Sequence, residues 1–267
     1  MVDGTPLLSD VRAIAREAGA AIMRYYGDSA APIDVGAKAD MSPITAADRD
    51  AHRIIVQGLG SLDDTIPVIS EEGKIPSYAE RRDWTTFWLV DPLDGTKEFI
   101  SRNGEFTVNI ALVERGEPVL GVILAPALDV LYFAQRGTGS WREDSAASPV
   151  RIFSSDAMPG ATCTVVESRS HPSPELEAFL GTIRVGTRVA AGSSLKFCWV
   201  AEGTADLYPR LGPTMEWDVA AGDCIYRNAG RGGPNPSPLS YNKPDLRNES
   251  FVIGRPWTFT TTSTGPD

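Results

Sequence analysis

The hexapeptide Asp91-Pro92-Leu93-Asp94-Gly95-Thr96 sets two carboxylates around a proline and just ahead of a glycine. Pro92 fixes one backbone φ and Gly95 permits a tight turn, so Asp91, Asp94 and the Leu93 carbonyl can be aimed at one point. Hard cations take such oxygen donors: Mg2+ is held by a few carboxylates and keeps positions open for water and substrate phosphate. Paired ions ~4 Å apart clamp the attacking and leaving oxygens of a phosphoryl transfer. Two more acidic groups extend the set: Glu71-Glu72 after the apolar run Ile66 to Ile69, and Asp218 within Glu216-Trp217-Asp218-Val219-Ala220-Ala221-Gly222. A helix opening at Thr96 would add free N–H groups as an anion site beside the cations. Each piece also has an ordinary use: Asp-Pro and Asp-Gly in surface turns, Glu71 and Glu72 in a solvated loop, Asp48 in a capping box, Asp218 as a helix cap.

The elements that must position these residues are readable in outline. Val11, Ile14, Ala15, Ala18, Ile22 and Tyr25 fall on one face of a helix from Ser9, its expected N-cap, to Gly27. Thr45-Ala46-Ala47-Asp48 is a capping box that opens a second helix with Ile54, Ile55 and Leu59 at helical spacing. Ile66 to Ile69 and Thr86 to Val90 are strands that end in acid. Val108 to Val113, Val119 to Leu124 and Val130 to Ala134, joined by short turn signals, form an antiparallel meander. Gly137 to Ser148 is rich in Gly, Ser, Ala and charge and is expected to be a seam near residue 150. Beyond it strands and helices alternate: strand Thr162 to Glu167, helix Pro174 to Gly181, strand Ile183 to Val185, helix Leu195 to Glu202, strand Ala205 to Tyr208, helix Asp218 to Ala229 and strand Phe251 to Ile253. Gly230 to Pro238 and Thr258 to Asp267 are expected to lack regular structure.

Composition narrows the function class. The chain has 267 residues, 42% hydrophobic and 22% charged, which describes an ordinary globular protein able to build a core without staples. Its 25 Lys and Arg against 35 Asp and Glu leave a net charge of −10, the wrong sign for a general nucleic-acid or anionic-membrane binder. Cys163, Cys198 and Cys224 form no C-x-x-C pair, so a disulfide framework or zinc site is not expected, and the cytoplasm is the expected compartment. No basic-then-apolar leader and no stretch approaching ~18 apolar residues is present, so no membrane segment is expected. Only His52 and His171 supply imidazole, so any metal must be held mainly by oxygen.

Glu71-Glu72, D-P-L-D-G-T and W-D-V-A-A together resemble the lithium-sensitive, magnesium-dependent phosphomonoesterases of the inositol monophosphatase superfamily, over nearly the whole chain. Thr96-Lys97-Glu98-Phe99-Ile100, the run Arg102 to Leu112, Gly192-Ser193-Ser194-Leu195-Lys196-Phe197-Cys198, Leu207-Tyr208-Pro209-Arg210 and Tyr241-Asn242-Lys243-Pro244 are similar to the CysQ-type 3′(2′),5′-bisphosphate nucleotidases within it. The resemblance implies an α+β fold, the layered α-β-α-β-α sandwich of the inositol monophosphatase and fructose-1,6-bisphosphatase type. It implies one phosphatase unit over 1–267, with an N-terminal α+β half, 1–150, that carries most metal ligands. A C-terminal α/β half, 151–267, then carries Asp218 and the nucleotide contacts. By the same resemblance Glu71, Asp91, Leu93, Asp94 and Asp218 would bind two or three Mg2+ ions, with Glu72 in support. Glu71, Thr96 and Asp48 would be catalytic, Thr96 helped by Asp48 orienting the attacking water. Gly95, Thr96, Ser193, Ser194, Lys196, Arg210, His171 and Asp218 would contact a small-molecule nucleotide bisphosphate. The implied reaction converts 3′-phosphoadenosine 5′-phosphate, a by-product of sulfate activation, to AMP and phosphate in a cytoplasmic monomer sensitive to Li+.

Two alternatives stay open on sequence. The same metal chemistry serves inositol phosphate or fructose 1,6-bisphosphate on this fold, and a non-catalytic metal and nucleotide sensor would keep the fold without turnover. The chain departs from the family after Gly230: Arg231 to Ser240 is short and rich in Pro and Gly where a strand and short hairpin are usual.

Overall fold

The computed structural model describes residues 5–27, 35–37, 43–145, 147–156, 161–170 and 174–254. His171 and the segment 258–267 lie outside the described residues.

Two helices open the chain: α1 (Pro6–Gly27) and, after the short strands β1 (Val35–Ala37) and β2 (Pro43–Thr45), α2 (Ala46–Leu62). Helix α1 begins ahead of the expected Ser9, because Pro6 is pre-set for the first helical position and Thr5 receives the first helical N–H, that of Ser9, on its carbonyl at 3.2 Å. Tyr25, expected on the buried face, is exposed and donates to Asp50 at 2.6 Å. Helix α2 starts at the expected capping box, Thr45 with Asp48.

A seven-stranded sheet follows, built from β3 (Val68–Ser70), β4 (Thr86–Asp94), β5 (Thr107–Glu114), β6 (Glu117–Ala125), β7 (Val130–Gln135), β8 (Gly139–Asp144) and β9 (Val150–Ile152), in that order across the sheet. The short helices α3 (Tyr78–Arg81) and α4 (Thr96–Ile100) interrupt it. The expected meander is present as β5 to β7. The stretch 137–148 is not a seam: it contains β8, which pairs with β7 along its length, and the sheet runs on to Ile152. Strand β8 was hidden because Gly-Ser-Trp-Arg-Glu-Asp carries its charge on the outer, solvated part of the sheet.

Strand β4 shows why the central strands read as continuous apolar runs: both faces are covered. Trp88 and Val90 pack with α1 and α2. Phe87 and Leu89, on the opposite face, join a core with the second half. Fully burying side chains of this size contributes roughly 1.5–3 kcal/mol each, so this two-faced sheet is the main source of cohesion.

The second half comprises β10 (Cys163–Ser168), α5 (Pro174–Leu180), β11 (Val185–Ala191), α6 (Leu195–Ala201), β12 (Leu207–Arg210), β13 (Thr214–Met215), α7 (Glu216–Asn228), β14 (Arg247–Asn248) and β15 (Phe251–Gly254). Its sheet has the order β11-β10-β12-β15. Helices α6 and α7 share one core with the large sheet and with Val166, Tyr208 and Phe251 of the smaller one, while Leu176 and Leu180 of α5 pack beyond it on Cys163, Val165 and Leu207. The layers are therefore helix, sheet, helix, sheet, helix, an α+β architecture of the expected kind. Strand β11 starts where the expected strand Ile183 to Val185 ends, because its middle is an exposed edge with charged and small residues. Residues 231–240 contain no strand; Asn235 ties them to α7 by donating to Tyr226 O at 2.7 Å.

Candidate functional site

Strands β3 and β4 are parallel, so their C-terminal ends leave the sheet on one edge. The register Ser70↔Val90 brings Glu71 beside Asp91, and the Glu71 N–H donates to Val90 O at 3.1 Å. Strict alternation would put Asp91 and Asp94 on opposite faces of β4. The β4–β5 register instead shifts between them, Asp91↔Asn109 and Asp94↔Thr107, a bulge of one residue that lets both reach the same cleft. Gly95 follows at φ +88°, where a Cβ would also stand 3.2 Å from Ser193 Cβ, and Thr96 opens α4. Asp218 arrives on the first turn of α7, where it accepts the Met215 N–H at 2.8 Å.

Ligand atoms of Glu71, Asp91 and Asp218 all lie within 4.8 Å of one another. They share a cleft of about 340 Å3 with Leu93, Asp94, Gly95 and Thr96. Loss of solvating water raises the Asp94 carboxyl to about 6, with the Lys196 charge opposing and Glu71 adding to it. Asp218 is driven well above the ordinary carboxylate range, first by burial and then by Asp94 and Glu71. Carboxylates crowded in this way are unfavourable without a counter-charge, and a donor set of oxygens alone suits a hard divalent cation such as Mg2+.

The far wall of the same cleft comes from the second half. Gly192-Ser193-Ser194 precedes α6, and Ser193 is held at φ +44° with its hydroxyl buried and without a hydrogen-bond partner. The turn is held by Glu105, which accepts the Gly192 N–H at 2.7 Å and a two-pronged contact from Arg169 at 2.7 Å. Lys196, 5% exposed, donates to the carbonyls of Ala191 and Ser193 and lies 5.5 Å from the Tyr208 ring centre. Burial draws its ammonium down to about 8, against the pull of Asp94. Arg210, at the end of β12, donates to Pro213 O at 3.0 Å, while its Nε is buried and unpartnered.

Of the residues singled out in the sequence, Glu71, Asp91, Leu93, Asp94, Gly95, Thr96, Ser193, Ser194, Lys196, Arg210 and Asp218 all line this one cleft. Asp48 and Glu72 do not. Asp48 is buried and accepts the N–H of Thr45 at 2.8 Å and its hydroxyl at 2.5 Å. Strand β2, which Thr45 ends, packs against α4, the helix that Thr96 opens. Ser194 spends its hydroxyl on Asn109 at 2.7 Å and Thr107 at 2.8 Å. Asn109 in turn donates to Asp94 at 3.3 Å, joining the two walls of the cleft. Sequence reasoning gave Thr107 and Asn109 no role; the available signal was a pair of polar residues two apart in an otherwise apolar strand, Thr-Val-Asn-Ile-Ala-Leu-Val.

The profile of the inositol monophosphatase family matches residues 4–261. The 3′(2′),5′-bisphosphate nucleotidase CysQ of Escherichia coli K12 is 50% identical over 224 residues, 84% of this chain and 88% of the relative. Its counterpart from Salmonella typhimurium LT2 is 52% identical over the same shares. Among solved structures, CysQ from Bacteroides thetaiotaomicron, described as a bacterial member of the inositol monophosphatase family, superposes with a TM-score of 0.77 at 44% identity. That likeness covers 93% of this chain and 96% of the other.

Proposed function

The chain belongs to the inositol monophosphatase family, and from that premise we propose that it is a magnesium-dependent 3′(2′),5′-bisphosphate nucleotidase. It hydrolyses 3′-phosphoadenosine 5′-phosphate to AMP and phosphate. The observation that carries this reading is one cleft in which a carboxylate cluster, Glu71, Asp91 and Asp218, shares its walls with two unpartnered buried donors, Ser193 Oγ and Arg210 Nε. Relatives at about half identity are named as nucleotidases of this specificity, which supports the choice of substrate.

In this reading Glu71, Asp91, Asp94, Asp218 and the Leu93 carbonyl hold two or three Mg2+ ions, with Glu72 in support. Bound Mg2+ supplies positive charge that acidifies water and offsets the charge gathering on the phosphoryl oxygens. Glu71 and the Thr96 hydroxyl, backed by Asp48, orient a water in line with the phosphorus. The water oxygen bonds to phosphorus as the bond to the 3′-oxygen breaks, and a water proton ends on that leaving oxygen. Gly95 lets the chain pass close to the phosphate, where any side chain would meet Ser193. Ser193 and Arg210 bind the rest of the substrate through donors that the protein leaves unpaired. Lys196 adds charge and holds the turn that carries Ser193, Ser194 ties that turn to Asn109, and His171 is assigned to the nucleotide.

We treat residues 1–267 as one phosphatase unit, a cytoplasmic monomer, with the metal ligands mostly on its N-terminal half (1–150) and the nucleotide contacts on 151–267. No described helix is long and apolar enough to cross a membrane. The test is phosphate release with and without Mg2+ from 3′-phosphoadenosine 5′-phosphate, inositol 1-phosphate and fructose 1,6-bisphosphate at equal concentrations. Strong preference for the nucleotide is expected. A preference for either sugar ester would overturn the substrate assignment, and turnover that persists without divalent metal would overturn the metal assignment.

A further inference from the structure

The Tyr241-Asn242-Lys243-Pro244 string lines no part of the catalytic cleft, yet it ends on the helix turn that carries Asp218. Glu216, the first residue of α7, is fully buried. Its carboxylate accepts the Asn242 N–H at 2.8 Å, the Lys243 N–H at 3.0 Å and the Lys243 ammonium at 2.7 Å. Those two amides converge because Asn242 adopts a left-handed backbone, φ +66°. Arg81, 2% exposed on α3, grips the other side of this turn. Its guanidinium donates to Asn242 Oδ1 at 2.8 Å, Lys243 O at 2.7 Å and Pro244 O at 2.9 Å, and Asn242 Nδ2 donates back to Arg81 O at 2.8 Å.

Arg81 belongs to the segment between β3 and β4 that begins with Glu71. Glu216 shares a helical turn with Asp218. One buried polar chain therefore connects the segments that present two of the three clustered carboxylates. Apolar residues of similar volume would bury as favourably as a salt-bridged network and are often the more stable choice. Directional bonds do what apolar contact does not: they fix distance, where apolar surfaces slide. We infer that Arg81, Asn242 and Glu216 are positioning residues that set the separation of Glu71 from Asp218 and so tune metal affinity. The inference rests on the reading of the carboxylate cluster as a metal site.

The experiment uses the full chain and reads Mg2+ binding by calorimetry alongside phosphate release. Arg81→Met is expected to weaken Mg2+ binding about tenfold or more and to recover most of its turnover at high Mg2+. Arg81→Lys, which keeps the charge and one donor direction, should fall between that variant and the parent. Glu143→Ala removes the ion pairs from Arg12 and Arg16 that join α1 to β8, and none of these three residues lines the cleft. It should lower the melting temperature and leave Mg2+ affinity unchanged. If Arg81→Met does not fold, Asn242→Gly keeps the left-handed turn, deletes the side chain, and should weaken Mg2+ about threefold. Arg81→Met or Asn242→Gly binding Mg2+ as tightly as the parent would overturn the inference. A parent chain that binds no Mg2+ would overturn the metal-site reading, and this one with it.

Discussion

Asp94 and Asp218 carry the site's pH dependence, since burial raises both carboxyls. The Asp94 carboxyl is raised from an ordinary 3.8 to about 6 because the cleft strips it of water, with Glu71 adding repulsion and Lys196 opposing. In the metal-free protein the folded state therefore keeps a proton that the unfolded chain has already released between about 4 and about 6. That proton favours the folded state at low pH, and its contribution is lost as pH rises through about 6. Metal must displace the same proton and the one that burial holds on Asp218, so Mg2+ affinity should climb from pH 5 through about 6 and go on rising toward pH 8. Calorimetric titrations across that range check the direction. Asp94→Asn should remove the part of this slope near pH 6 and leave the part due to Asp218, lower turnover by about a hundredfold or more, and leave the metal-free melting temperature unchanged or raised, since a crowded charge is lost. Unaltered turnover in Asp94→Asn would remove that residue from the ligand set.

Strand and turn geometry decide which acids meet. Gly95 separates Asp94 from Thr96 at φ +88°, and its missing Cβ leaves room for Ser193 across the cleft. Gly95→Ala should cost ~1–2 kcal/mol for the left-handed conformation, and should lower turnover about tenfold to a hundredfold by displacing its neighbours. Denaturant unfolding and steady-state rates measure the two losses separately; full activity would show that the turn's conformation does not position Thr96. This scale also shows what sequence could reveal. The acids at the ends of β3 and β4 were legible, since each apolar run stops at a carboxylate. Their convergence was expected from the turn and from the family resemblance, but its means were not legible: it depends on parallel pairing and on the bulge between Asp91 and Asp94, and pairing leaves no local mark. Strand β8 escaped notice because glycine and charge break its apolar pattern, and β11 was expected too early because its middle is an exposed, polar edge. The Asn109 and Ser194 bridge was invisible for a third reason: its partners are 85 residues apart.

Across the whole molecule, the candidate ligands come from the end of the seven-stranded sheet and from α7, which packs between the two sheets. A cation held there would bind the folded chain and not the unfolded one, where Glu71 and Asp218 lie far apart. At a hundred times its dissociation constant a single ligand stabilises by about 2.7 kcal/mol, and each kcal/mol moves the midpoint by about 2–4 °C in a chain of this size. Chelation of divalent metal should then lower the melting temperature by about 5–10 °C. A competing cause must be separated, because a chain of net charge −10 gains stability from any salt that screens its repulsion. Screening is blind to the identity of the ion at matched ionic strength, whereas coordination by carboxylates and a carbonyl is selective for a small divalent cation. Millimolar Mg2+ should therefore restore the lost stability when NaCl at equal ionic strength does not. Recovery by NaCl alone would mean that the carboxylate cluster is stabilised by general screening, and the assignment of Glu71, Asp91 and Asp218 as a metal site would fall.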